Sequence, residues 1–237
     1  MKSLLLALQF MIRLPLPTVS ADTRDYETAI RWFPATGLVV GAAIAAAGWA
    51  GVHRDPWLGA LLALIAWVGL TGALHLDGLG DIADAAGAAH GDPARLSAVL
   101  ADPHIGSFGV VTITLQLVAK LLLLRLALDG PDLPALLLIP ALARTGPIVW
   151  ALTLKPLHQG MGSLFSAGAS WRVFALWLLV LGPVLFVTNP APIAALGAFP
   201  IWRWWLATRI GGISGDGHGA GIELAETAAL AALVLIR

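Results

Sequence analysis

Trp57–Leu76 reads WLGALLALIAWVGLTGALHL, and DGLGDIAD follows at once over Asp77–Asp84. The first piece is an uncharged run of about 20 residues, the length a helix needs to cross the bilayer's hydrocarbon core. The second sets three aspartates directly at its end. Long apolar runs broken by short polar segments recur throughout the 237 residues. Hydrophobic residues make up 58% and charged residues 12%, the latter about half the share in a soluble domain. Mean hydropathy is +0.84. Such a composition excludes intrinsic disorder, which needs low hydrophobicity and high net charge. Fourteen Lys and Arg balance fourteen Asp and Glu, so the basic excess of a nucleic-acid binder is missing. With no cysteine, disulfides, thiolate metal sites and cysteine nucleophiles are excluded. The expected fold is all-α: a polytopic integral membrane bundle forming one membrane domain over residues 1–237.

Working outward, seven segments are candidate spans: Trp32–Val52, Trp57–Leu76, Phe108–Leu128, Leu133–Leu154, Trp171–Thr188, Pro192–Ala207 and Ile222–Ile236. The runs are continuous rather than alternating, which argues against a β-barrel. Abundant Ala and Gly suit close helix contact in lipid, and the tryptophans mostly flank the spans as interfacial anchors do. Ser3–Leu14 is too short to span, and Arg13, Pro15 and Pro17, following the apolar stretch to Ile12, stand where the small residues of a cleavage site belong; it reads as a retained interfacial helix. With a cytoplasmic N-terminus, Lys2, Arg13, Arg24, Arg31, Arg95, Lys155, Arg172, Arg203 and Arg209 fall inside, and Arg54 and Arg237 outside, in keeping with the positive-inside rule. Asp77–Ser107 and Thr208–Gly221 then share the cytoplasmic face, and the site is expected to form from the acidic segment 77–107 and the glycine-rich segment 208–221.

Asp77, Asp81 and Asp84 stand at i, i+4 and i+7, one face of a helix. Two carboxylates 6 Å apart repel by roughly 2.8 kcal/mol at an effective dielectric of 20, and no Lys or Arg lies between Arg54 and Arg95 to offset them. A hard divalent cation would, Mg²⁺ being suited when phosphates complete its shell; a solvated helix start is the alternative. Gly78 and Gly80 would let a phosphate or a backbone come close, with the helix regular only after Gly80. Asp102 is a helix cap or a metal ligand, and His104 a base, a phosphate contact or an interfacial histidine. Gly211–Ala220 holds Gly215, Asp216 and His218 in a loop able to aim N–H groups at an anion, ahead of a helix starting near Ile222. Lys120 and Arg144 fall inside spans, where a charge is a functional candidate; both need an anionic partner, the acidic cluster or a diphosphate. Glu223 and Glu226 suit the start of the last helix. Carboxylates, Mg²⁺ and cations are the equipment of phosphoryl or nucleotidyl transfer. A divalent-cation transporter would instead carry its acids within broken spans near the midplane.

At these residues the chain resembles the membrane-bound cobalamin synthases, the adenosylcobinamide-GDP ribazoletransferases. The likeness runs through Phe10–Pro15 (FMIRLP), Phe33–Gly37 (FPATG), His75–Asp84 (HLDGLGDIAD), Asp102–Gly106 (DPHIG) with Phe108 and Gly109, Lys120, Gly211–Asp216 (GGISGD), and Gly219 with Ala220. His104 departs from an arginine common there, and Ala85 from a glycine. The resemblance implies an enzyme of the bacterial inner membrane, with its site facing the cytoplasm. It would transfer the cobinamide-phosphate group of adenosylcobinamide-GDP to α-ribazole or its 5′-phosphate with Mg²⁺, releasing GMP. On that reading Asp77, Asp81 and Asp84 hold the metal; Asp81, Asp216, His104 and Lys120 are catalytic; Gly78, Gly80, Asp102, Arg144, Gly215 and His218 bind substrate. The ribazole 5′-hydroxyl attacks the phosphorus attached to cobinamide. A CDP-alcohol phosphotransferase acting on lipid is the nearest alternative, though Asp77-Gly78 lacks that family's following Ala-Arg. The lipid bilayer is the expected surrounding, no nucleic acid is expected, and self-association is left open.

Overall fold

In the computed structural model, which describes residues 2–88, 92–130, 133–158 and 161–236, the expected interfacial helix is α1 (Lys2–Met11). It does not lie apart from the bundle: Leu6, Ala7 and Met11 are buried against α2 (Thr23–Ala29) and α3 (Phe33–Val52). An Asp22–Asp25 capping box starts α2, satisfying backbone donors that a helix start leaves free. The chain runs on through a 3-10 turn at Ile30–Trp32 into α3, the first expected span.

The second span is shorter than its sequence suggested. Asp55 accepts the N–H groups of Trp57 (2.8 Å) and Leu58 (3.0 Å), and Pro56 opens α4 (Pro56–Thr71) where its missing N–H costs nothing. Gly72 (φ 61°) and Ala73 (φ 58°) are both left-handed, and α5 (Leu74–Ala88) departs at 82° to α4. Ala73 carries a β-carbon in that region, a strain of about 1–2 kcal/mol. His75–Asp84 is therefore helical from its start rather than only beyond Gly80.

After α6 (Pro93–Leu100) come α7 (Ser107–Ala127), matching the third expected span, and α8 (Leu133–Ala143) with α9 (Gly146–Thr153), which share the fourth. The break between α8 and α9 falls at Arg144–Thr145, between Pro140 and Pro147. A short α10 (Met161–Ala167) precedes α11 (Trp171–Thr188), the fifth span, which Ser170 caps. The sixth expected span is not one helix. Ala191–Gly197 is a 3-10 segment and α12 covers Ala198–Arg209; twelve residues of α-helix reach only about 18 Å. Pro192, Gly197 and Pro200 in that stretch work against a continuous helix. The seventh is longer than expected: α13 runs Gly215–Leu235. Among the described residues five helices are long and apolar enough to cross a membrane, or six with the bent α4–α5 pair counted as one, so the chain is a multi-pass membrane protein. Arg237 and residues 89–91 of the acidic segment lie outside the described residues.

Small residues set the packing. A β-carbon on Gly37 would come within 2.5 Å of the Ala141 backbone, and one on Gly41 would strike the Leu137 carbonyl, so α3 and α8 touch backbone to backbone. α13 packs against α5, α7 and α8 at the centre. Leu179, Phe186 and Val187 on α11 are 70–84% exposed, the pattern of a helix whose outer face meets lipid.

Candidate functional site

The site forms where α5 crosses α13. A β-carbon at Gly78 would sit 2.8 Å from Asp216 Cα, and one at Gly219 would sit 3.2 Å from His75 Cα. Ser214 caps α13, its hydroxyl accepting the Gly217 N–H at 3.0 Å. Gly215, Gly217 and Gly219, expected in an anion-binding loop, thus lie in the first turns of a helix, as do Asp216 and His218, while Gly211 and Gly212 precede it. The missing side chain of Gly219 serves contact with α5, a use that glycine composition alone cannot distinguish from a loop. Gly80 likewise faces Ile113 and Ile105 rather than an open phosphate pocket. Gly78→Ala should force α5 from α13 at a cost of about 1–3 kcal/mol; a lowered melting temperature together with lost binding of the substrates would show it.

The crossing gathers three of the expected acids. Asp81 feels the negative charges of Asp77, Asp216 and Asp84, and Asp216 that of Asp77. Asp84 has a different task from the metal binding expected of it. It is 8% exposed; Oδ2 accepts the Gly106 N–H at 2.7 Å and Oδ1 the Gly109 N–H at 3.0 Å. α7 starts behind Gly106, which has no side chain to cap it, so Asp84 supplies the cap from α5. Negative charge there also suits the helix dipole.

Asp102 and His104 do not join the site. They form an exposed turn: His104 donates its backbone N–H to Asp102 Oδ1 at 3.0 Å, and its Nδ1 lies 2.7 Å from the same oxygen. Those contacts hold the Asp102 carboxyl below its usual value. Neither residue lines either cavity at the crossing, so the catalytic role expected of His104 and the substrate contact expected of Asp102 have no geometric support.

Lys120 and Arg144 are corrected in the same way. Lys120 Nζ lies 2.7 Å from both Glu223 Oε2 and Glu226 Oε2, and Arg144 Nη1 lies 2.7 Å from Glu226 Oε1. Gln116 Nε2 donates to the Glu223 carboxylate at 2.9 Å, and Lys120 sits 4.1 Å from the centre of the Trp67 ring. All four charged residues are at most 2% exposed. Two cations and two anions close a neutral buried network, so the cations do not stand open to a diphosphate. Glu223 and Glu226, expected merely to suit the dipole, are their partners. His75 carries the network to the site: Nδ1 is 3.5 Å from Arg144 Nη2, and Nε2 is 3.3 Å from Met11 Sδ.

Two cavities flank the acids. One, of about 140 Å³, is lined mainly by Phe10, Ile30, Phe33, Phe165 and Ile222, with His75, Asp77, Asp216 and His218 among its polar residues. The other, of about 160 Å³, includes His158, Ser163, Ser166 and Ser214, and shares Gly215, Asp216 and His218 with the first. Asp216 and His218 are therefore a common wall. His218 Nδ1 is buried with no hydrogen-bond partner. The second cavity depends on Lys155–His158, tied to the start of α13 by Leu157 N–H to Ile213 O and Ile213 N–H to Lys155 O, both 2.9 Å. His158 escaped the sequence reading; its signal is a polar patch between two apolar runs.

Among the described residues no three Asp, Glu or His side chains converge as a ready-made metal site. The donor chemistry still fits Mg²⁺: Asp77, Asp81 and Asp216 are hard oxygen donors within electrostatic reach of one another, and Mg²⁺ is held by one or two carboxylates plus substrate phosphates rather than by an all-protein cage.

Fold and site together define a multi-pass helical membrane protein with an acidic centre between two cavities. Residues 3–234 match the family described as cobalamin-5-phosphate synthase. A protein of Novosphingobium aromaticivorans named adenosylcobinamide-GDP ribazoletransferase is 51% identical, over 99% of this chain and 97% of its own length. Relatives of the same name from Thiobacillus denitrificans and Stutzerimonas stutzeri are 49% and 36% identical, covering 97% and 99% of this chain and 94% and 98% of their own. No solved structure matches. The chain belongs to the cobalamin-5-phosphate synthase family.

Proposed function

We propose that the chain transfers the cobinamide-phosphate group of adenosylcobinamide-GDP to α-ribazole or its 5′-phosphate, releasing GMP. The observation that carries this reading is the α5–α13 crossing, where Asp77 and Asp216 line an apolar cavity, Asp216 also lines a polar one, and Asp81 feels the charge of both, in a chain aligned end to end with relatives bearing that name. The setting is the bacterial inner membrane with the site on the cytoplasmic side, a reading supported by the Lys and Arg of the connecting segments.

A ribose hydroxyl oxygen forms the new bond to the phosphorus that carries cobinamide, and the bond from that phosphorus to the oxygen of GMP breaks. A secondary hydroxyl of the ribose, rather than the 5′-hydroxyl expected from the sequence, is the nucleophile: an acceptor that carries a 5-phosphate, in keeping with the family's description, reacts through another hydroxyl, and α-ribazole uses the same one. Asp216, shared by both cavities, takes the hydroxyl proton. Asp77 and Asp81 would hold Mg²⁺, which when bound offsets charge on the diphosphate. His218 offers its unpartnered Nδ1 to a substrate oxygen.

The test is turnover in proteoliposomes given adenosylcobinamide-GDP, α-ribazole and Mg²⁺. Cobalamin and GMP should appear in equal amounts and stop on adding EDTA. Release of CMP from CDP-diacylglycerol, or metal flux without transfer, would overturn the reading.

A further inference from the structure

We propose that the cavity walled by Phe10, Phe33 and Phe165 takes the aromatic base of the acceptor nucleoside, benzo ring first, with its ribose at Asp77 and Asp216. This rests on α-ribazole being the acceptor. The three rings form one cluster, with centroids 4.8, 5.5 and 6.1 Å apart, and α1, α3 and α10 each contribute one of them. Ile30 and Ile222, 1% and 0% exposed, complete apolar walls. The polar lining is Asp77, Asp216, His218 and His75, the last engaged with Arg144 and Met11. A cavity of about 150 Å³ lined by Leu, Ile and Phe stays dry and admits benzene; at about 140 Å³ this one matches a single six-membered ring.

Among the reacting parts only one has that chemistry. Guanine carries ring nitrogens, an amine and a carbonyl that need partners, and the corrin is far too large. A benzimidazole inserts a carbon-only ring and leaves its nitrogens at the mouth, beside the ribose. Adenine in the same place would bury polar edges against phenylalanine. The cavity thus also sets a preference for benzimidazole over purine acceptors, of order 10–100-fold in kcat/KM, the discrimination an apolar pocket achieves.

The experiment pairs kinetics with binding, both on protein in lipid nanodiscs. Phe165→Ala should raise the KM for α-ribazole at least tenfold, leave the KM for adenosylcobinamide-GDP unchanged and narrow the preference over the adenine analogue. For the unaltered protein, 5,6-dimethylbenzimidazole should bind, competing with α-ribazole and not with the cobinamide substrate. Competition with the cobinamide substrate, an effect of Phe165→Ala on that substrate's KM alone, or no saturable dimethylbenzimidazole binding would overturn the proposal. Binding lost in Phe165→Ala supports the cavity even without turnover, and absence of turnover would then count against the transferase reading alone. Should Phe165→Ala fail to fold, the competition pattern of the unaltered protein decides.

Discussion

Asp77→Asn and Asp216→Asn should each lower kcat by about 10²–10⁴, the range for loss of a general base or of a charge that holds a phosphate, with little change in melting temperature. Both carboxylates line the apolar cavity, and each stands among like charges, so neutralising one relieves repulsion rather than orphaning a partner. Asp84→Asn should do the reverse. Its two oxygens each accept a backbone N–H; an amide has one oxygen and places an NH₂ against the other donor. An unmet buried donor costs about 1–3 kcal/mol, so stability should fall first, with kcat per folded molecule largely kept. Turnover and thermal unfolding measured on all three variants separate the roles. Equal loss of turnover in Asp84→Asn at unchanged stability would return that residue to the metal site.

Spacing of i, i+4 and i+7 placed Asp77, Asp81 and Asp84 on one helical face. It could not say that α7 begins at Gly106 with no cap of its own, since that depends on two helices meeting in space. Apolar runs located α3, α7 and α11 closely because length and hydropathy govern spanning helices. They overran α4, since Gly72 and Ala73 turn the chain through a backbone conformation that hydropathy does not register. Gly215–Gly221 read as a loop because glycine disfavours helix; the compensation is the approach of α5 and of Trp150, whose ring a β-carbon at Gly221 would strike. Phe10, Phe33 and Phe165, scattered over some 150 residues, carried no local signal of forming one wall. The need of Lys120 and Arg144 for anions was legible, but not the choice of Glu223 and Glu226 over substrate, because a glutamate at a helix start already has an ordinary explanation.

Those four residues carry the second large effect. Glu226→Gln or Arg144→Met should each destabilise the folded protein by about 3–5 kcal/mol, the usual cost of removing one member of a buried ion pair. At about 2–4 °C per kcal/mol for a chain of this size, the melting temperature falls by roughly 6–20 °C. The reason is imbalance: without Glu226, two cations face Glu223 alone; without Arg144, two carboxylates face Lys120 alone. The double variant restores one charge of each sign, Lys120 against Glu223 at 2.7 Å. It should therefore lose less than the sum of the single variants, by about 0.5–3 kcal/mol. Residual activity distinguishes this from a catalytic role. If Arg144 only supports the fold, folded Arg144→Met turns over near the normal rate below its melting temperature. If it neutralises a leaving phosphate, kcat falls even where the protein is fully folded, and the double variant does not recover it. Additive losses in stability would show that the network does not act as a unit. The position of His75, 3.5 Å from Arg144 and on the wall of the apolar cavity, makes a third outcome informative: a raised KM for the acceptor with kcat kept would mean that the network acts on the site by holding that wall in place.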